Sequence, residues 1–146
     1  MNSRYWAYLF VLVQFSSLFF ILTTAPVFAS SDWGILVEMA GVFVGLLAIY
    51  QMQIGNFNIA PLPKAGGKLV TSGLYKYVRH PMYMAQLLAA LPLIVDYFSM
   101  IRLALWLALF INLIFKLYYE ERKLTNQFSA YKAYMETTWR LIPFVY

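Results

Sequence analysis

The stretch YWAYLFVLVQFSSLFFILTTAPVF, Tyr5 to Phe28, decides the fold. No charged residue interrupts the chain between Arg4 and Asp32, and only Gln14, Ser16 and Ser17 are polar in the first half of the stretch. About 20 apolar residues at 1.5 Å rise each cross roughly 30 Å of hydrocarbon, so this segment predicts a transmembrane helix. A competing reading makes residues 1–29 a cleaved signal peptide ending at Val27-Phe28-Ala29. The apolar run is longer than the ~7–15-residue core of such peptides.

Three more apolar stretches follow. The second, about residues 33–54, carries Glu38 near its start and places Gly41 and Gly45 at the four-residue spacing that lets helix backbones approach closely. The third, about 82–95, is shorter and contains Pro92, which predicts a kink or a tilted entry. The fourth, about 100–119, is apolar except for Arg102, Asn112 and Lys116. The chain therefore reads as an all-α polytopic membrane protein: one domain over 1–146 with four transmembrane helices, a loop at 55–81 and a tail at 120–146. In the tail, Leu124, Phe128, Tyr131 and Met135 recur at helical spacing. They predict an amphipathic helix that lies along the interface or caps the bundle.

Composition agrees. Of 146 residues, 62% are hydrophobic and 12% charged, whereas a soluble domain carries about 25% charge. The absence of cysteine excludes disulfide frameworks, thiolate metal sites and cysteine nucleophiles. With a single histidine and no Glu-x-x-His spacing, no metal site is expected. The net charge of +5 fits basic membrane loops, and no nucleic-acid partner is expected. Lys64, Lys68, Lys76 and Arg79 fall in the connection between the second and third spans, which has no acid. The positive-inside rule then places this loop and both termini on the cytoplasmic side.

A connection of this length is usually functional or disordered. This one packs prolines, glycines and aromatics around His80, the sole imidazole in the chain. Pro81 disfavours helical geometry at His80 and suits the first turn of the next helix, so His80 should sit at the mouth of the third span. Exposed amides there would suit an anionic group. Alternatively, Arg79 and His80 anchor the span among headgroups. Tyr75, Tyr77 and Tyr83 crowd the same loop, and aromatic faces with nearby carboxylates hold a cation such as a sulfonium. Glu120-Glu121 closes the fourth span, where the helix dipole opposes acids, so a bound cation or a pairing of Glu120 with Lys116 is expected. A solvated charge cluster is the bland alternative. Glu38 and Asn112 read as an interfacial anchor and an interhelical hydrogen bond.

The run Gly73-x-Tyr75-x-x-x-Arg79-His80-Pro81-x-Tyr83, preceded by Leu69-Val70-Thr71-Ser72 and followed by Glu120-Glu121 and a Phe128, Tyr131, Tyr134 and Pro143 tail, resembles a known group. It is similar to the membrane methyltransferases related to isoprenylcysteine carboxyl methyltransferase and phospholipid N-methyltransferase, over about residues 56–144. The resemblance implies S-adenosyl-L-methionine as methyl donor and a lipophilic or lipid-attached acceptor: a carboxylate first, an amine or thiol next. It implies cofactor contacts at Leu69, Val70, Tyr75, His80, Pro81, Met82, Tyr83 and Glu120, with Gly67 and Lys68 as backbone contacts before them. It implies a substrate contact at Lys116, where the carboxyl methyltransferases have Arg. Two positions depart from the family: Ala85 and Ser129 stand where glycine is usual. Sterol reductases, which use NADPH, share the C-terminal spans and give a second reading; a non-catalytic membrane protein of the same fold gives a third.

Overall fold

The computed structural model describes residues 3–53, 56, 58–62 and 66–146. Five α-helices follow one another, α1 (Ser3–Thr24), α2 (Asp32–Met52), α3 (Pro81–Asp96), α4 (Met100–Gln127) and α5 (Tyr131–Glu136), with a 3-10 turn at Gly73–Lys76 before α3. By length and composition α1, α2 and α4 can each cross a membrane, and α3 is a shorter apolar helix. Among the described residues there is no strand, only an isolated parallel bridge between Val78 and Trp139.

The helix ends follow from local chemistry. α1 stops at Thr24, short of the expected Phe28, because Pro26 disfavours helical geometry at Ala25. α2 begins where Ser31 Oγ accepts the Gly34 amide at 3.0 Å, an N-cap. It ends at Met52, and Gln53 takes a left-handed φ of 63°. Ile54, the expected last residue of this span, lies outside the described residues, as do Gly55, Phe57, Pro63, Lys64 and Ala65 of the loop. α3 has Pro81 at its first position and runs unbroken through Pro92.

α4 corrects one expectation. It continues past Tyr119 to Gln127, since the segment after Tyr119 contains no glycine or proline and is built mostly of good helix formers. Glu120 and Glu121 therefore lie inside the helix, and opposition from its C-terminal dipole does not apply to them. The tail differs from a single amphipathic helix. After a break at Phe128 to Ala130 only the short α5 forms, and its Tyr131 and Tyr134 are buried beneath the bundle.

α2 packs antiparallel on α3, and α1 on α4, with α3 and α4 meeting at the centre through Leu87, Leu109, Leu113 and Leu117. Gly41 and Gly45 do what their spacing predicts. A Cβ on Gly41 would lie 2.6 Å from the Ala89 backbone nitrogen, and one on Gly45 would lie 3.3 Å from the Ala85 methyl. Asn112 Nδ2 donates to the Phe10 carbonyl at 3.0 Å, the interhelical bond expected of it. The buried residues of α2 are Gly34, Glu38, Gly41 and Ala48, while Phe43, Leu46 and Tyr50 face outward. Small and polar residues inside, with large apolar ones outside, is the packing of a protein solvated by lipid. α1 and α2 make almost no contact with each other, which leaves a slot between them on the side of the bundle.

The start of α1, the end of α2, the start of α3 and the end of α4 share one face. The opposite face is closed by polar clasps. Asp96 accepts the Ser30 and Ser31 amides, each at 2.7 Å, and Glu38 Oε2 accepts the Ala29 amide at 2.9 Å. Glu38 is buried and ties a turn rather than anchoring at an exposed interface.

Candidate functional site

The loop before α3 is held from two sides. Asn56 clasps Lys68, its Nδ2 donating to the Lys68 carbonyl at 2.5 Å and its Oδ1 accepting the Lys68 amide at 2.8 Å. Gln51 Oε1 accepts the Leu74 amide at 2.8 Å, and Gly73, at φ 62°, lies so close to Gln51 that a Cβ would clash. From below, the tail runs beside residues 77–80. The Trp139 amide donates to the Tyr77 carbonyl, the Arg79 amide to the Trp139 carbonyl and the His80 amide to the Arg140 carbonyl, at 2.8–3.0 Å.

Arg79 and Glu121 form the buried clasp of this assembly. Arg79 Nε lies 2.7 Å from Glu121 Oε1, and its Nη1 donates to the Met135 carbonyl at 3.1 Å, to the Thr138 carbonyl and to Thr138 Oγ1. Arg140 Nε takes the other carboxylate oxygen of Glu121 at 3.1 Å. Arg79 is thus no headgroup anchor, and Glu121 has its cations already. Tyr134 OH donates to the Tyr75 carbonyl at 2.6 Å, and Tyr75 OH to the Ala48 carbonyl at 3.3 Å. Burial pushes both hydroxyls above the usual tyrosine range, which keeps them protonated donors.

This scaffold surrounds a cavity of about 450 Å³, within the size of small-molecule and cofactor sites. All eleven residues that the family resemblance implied as contacts line it: Gly67, Lys68, Leu69, Val70, Tyr75, His80, Pro81, Met82, Tyr83, Lys116 and Glu120. Glu120 is the only acid among the lining residues. Its Oε2 accepts Tyr83 OH at 2.6 Å and lies 3.8 Å from His80 Nδ1. The His80 and Tyr83 rings stack with centroids 5.2 Å apart. His80 Nε2 is buried and makes no hydrogen bond among the described residues, although Glu121 Oε1 is 3.5 Å away. An orphaned buried nitrogen beside a carboxylate and a ring stack is an unfilled polar environment.

Several expectations change on this geometry. Tyr77 is half exposed and does not line the cavity. The Tyr83 and Met84 amides at the mouth of α3 are taken by the His80 carbonyl, so they are not open to an anion. Lys116 makes no ion pair with Glu120. Its ammonium, 1% exposed, donates to Gln14 Oε1 at 2.6 Å and to the Ile59 carbonyl at 3.0 Å, above the Tyr83 ring. Ala85 brings its extra methyl against Gly45, so that departure is accommodated between helices.

Gln14, Gln86, Asn56, Phe128, Tyr131 and Tyr134, to which the sequence assigned no site role, also line the cavity. The tail aromatics recur at three-residue spacing, a signal that pointed to one packed face. Gln14 and Gln86 had only their rarity within apolar helices as a signal.

A family model for phospholipid methyltransferases matches residues 29–131. The chain belongs to that family. The match runs from the turn before α2 into α5 and so takes in the loop, α3 and Glu120, the core of the cavity. No individual curated protein matches the chain. Family and apolar helices together make it an integral membrane methyltransferase for lipid-type substrates.

Proposed function

We propose that the cavity binds S-adenosyl-L-methionine and that the protein transfers its methyl group to a lipophilic or lipid-attached acceptor, a carboxylate before an amine or thiol. The observation that carries this is the meeting of Glu120, the His80–Tyr83 stack and the Gly67 to Val70 stretch of loop on one cavity. The donor supplies an electrophilic methyl on a sulfonium. Glu120 and the aromatic faces of His80 and Tyr83 suit that positive charge and an ammonium beside it. His80 Nδ1 lies on the Glu120 side of the ring, and Nε2, 3.5 Å from Glu121 Oε1, makes no hydrogen bond among the described residues. The clasp of Arg79, Glu121 and Arg140 holds the tail against the loop and excludes water from the cavity floor, where methyl transfer depends on alignment more than on acid-base chemistry.

The acceptor enters through the slot between α1 and α2, where Phe15, Val42, Gly45 and Ile49 line the cavity. Lys116 lies deeper along α4 than Glu120 and contacts its polar end. The basic loop and both termini face the cytoplasm, so the polar donor arrives from the aqueous side and the lipid from the bilayer. A carboxylate acceptor attacks directly; an amine or thiol must first lose a proton, and His80 is the imidazole beside the cavity.

Radiolabelled methyl transfer from S-adenosyl-L-methionine to prenylcysteine, phospholipid and thiol acceptors tests the reading with purified protein. Label entering an organic-extractable product, and lost with Glu120→Ala, is expected. No transfer to any acceptor, or NADPH binding at the cavity in place of S-adenosylhomocysteine, contradicts it.

A further inference from the structure

Lys116, Gln14 and Gln86 form a chain of hydrogen bonds that crosses the cavity from α4 through α1 to α3. Lys116 Nζ donates to Gln14 Oε1 at 2.6 Å, and Gln14 Nε2 donates to Gln86 Oε1 at 2.7 Å. The direction of the chain is fixed by chemistry. An ammonium has donors only, so the Gln14 carbonyl must face it. The Gln14 amide nitrogen must then face Gln86, which presents its own carbonyl and turns its amide nitrogen elsewhere. That nitrogen makes no hydrogen bond among the described residues, and Gln86 lines the cavity.

The outcome is a subsite that offers the unbonded Gln86 amide nitrogen as a donor, one helical turn beyond Tyr83 and beside the α1 and α2 residues that line the cavity. Lys116 carries the only charge in the chain of three, and no described carboxylate lies within 4 Å of it. Its ammonium is held by two neutral oxygens and the Tyr83 ring face, with no carboxylate in direct contact, so part of its charge is left for a ligand to meet. We propose that Gln86, oriented by Gln14 and Lys116, is a specificity-determining residue that receives an oxyanion of the lipid acceptor, a carboxylate or a phosphate, in preference to a cationic group at that point. This deepens the methyltransferase reading and rests on it for the identity of the bound lipid as acceptor. Gln14 acts through its neighbours and is a positioning residue. Replacing it leaves Lys116 without its 2.6 Å partner and lets Gln86 rotate.

The test is photocrosslinking of a diazirine-bearing palmitic acid to the wild-type protein in dodecylmaltoside, with labelled peptides mapped by mass spectrometry. Oleate, oleyl phosphate and oleylamine serve as competitors. Label is expected on the cavity-lining residues of α1 and α2. Oleate or oleyl phosphate should displace it at a concentration about tenfold lower than oleylamine, the ratio of one charge-assisted hydrogen bond, and which of the two is stronger distinguishes carboxylate from phosphate. Gln86→Met should abolish that preference, and Gln86→Glu should reverse it toward oleylamine. Equal displacement by all three competitors in the wild type overturns the proposal without recourse to a variant. So does a preference left intact by Gln86→Met. Titration of the wild type with S-adenosylhomocysteine separates the two readings: oxyanion preference without binding of that product sinks the methyltransferase reading and leaves the subsite standing.

Discussion

The two ends of the bundle use their polar groups in opposite ways. At the closed end the two acids that clasp the turn are spent on the chain itself, Asp96 on the Ser30 and Ser31 amides and Glu38 on the Ala29 amide. Arg102 there donates to the Tyr97 and Thr24 carbonyls. At the open end, adjacent residues divide the two tasks. Glu121 is engaged by Arg79 and Arg140, whereas among the described residues Glu120 has Tyr83 and, at 3.8 Å, the His80 imidazole. Satisfied groups build structure, and incompletely satisfied groups lining a cavity are where a ligand contributes.

This comparison can be broken most sharply at Glu121. Glu121→Ala strips the counter-charge from buried Arg79 and should destabilise the protein by about 3–5 kcal/mol, visible as a large drop in melting temperature in detergent. A drop no larger than that of a surface substitution would contradict the structural role. Glu120→Gln, one residue away, should leave the melting temperature near that of wild type. It should weaken S-adenosylhomocysteine by roughly ten- to a hundredfold, the value of a hydrogen bond to a charged group. At the closed end, Asp96→Ala should reverse that pattern. The melting temperature falls as the Ser30 and Ser31 amides lose their acceptor, and binding of the methyl-donor product is unchanged. The smallest effect is expected of Asn112→Leu, about 0.6 kcal/mol for one interhelical bond in a membrane, measured by the same thermal unfolding.

The sequence made the bundle legible because lipid solvation imposes long uninterrupted apolar runs, and Pro81 and Ser31 mark helix starts by chemistry that is local. The end of α4 was not legible in the same way. Hydropathy falls after Tyr119, but helix propensity does not, and the helix follows propensity to Gln127. The eleven candidate residues came from the family resemblance, whose pattern relates the two segments around His80 and Glu120. Gln14 and Gln86 could not be gathered that way, because their meeting depends on how α1 lies against α3 and α4, and no local rule sets that register. For the same reason the roles of the twin glutamates could not be told apart in sequence. Which of them faces Arg79 is decided by the 100° turn between adjacent helical positions and by the return of the tail beneath the loop.

The most direct test of the account is calorimetric titration of the detergent-purified protein with S-adenosylhomocysteine, run in parallel on the wild type and on Glu120→Gln. Saturable binding by the wild type at one site per chain, weakened at least tenfold in the variant while its melting temperature holds, is the predicted result. Absence of binding in the wild type, or equal binding by both proteins, would contradict the assignment of the open end as the site of the methyl donor.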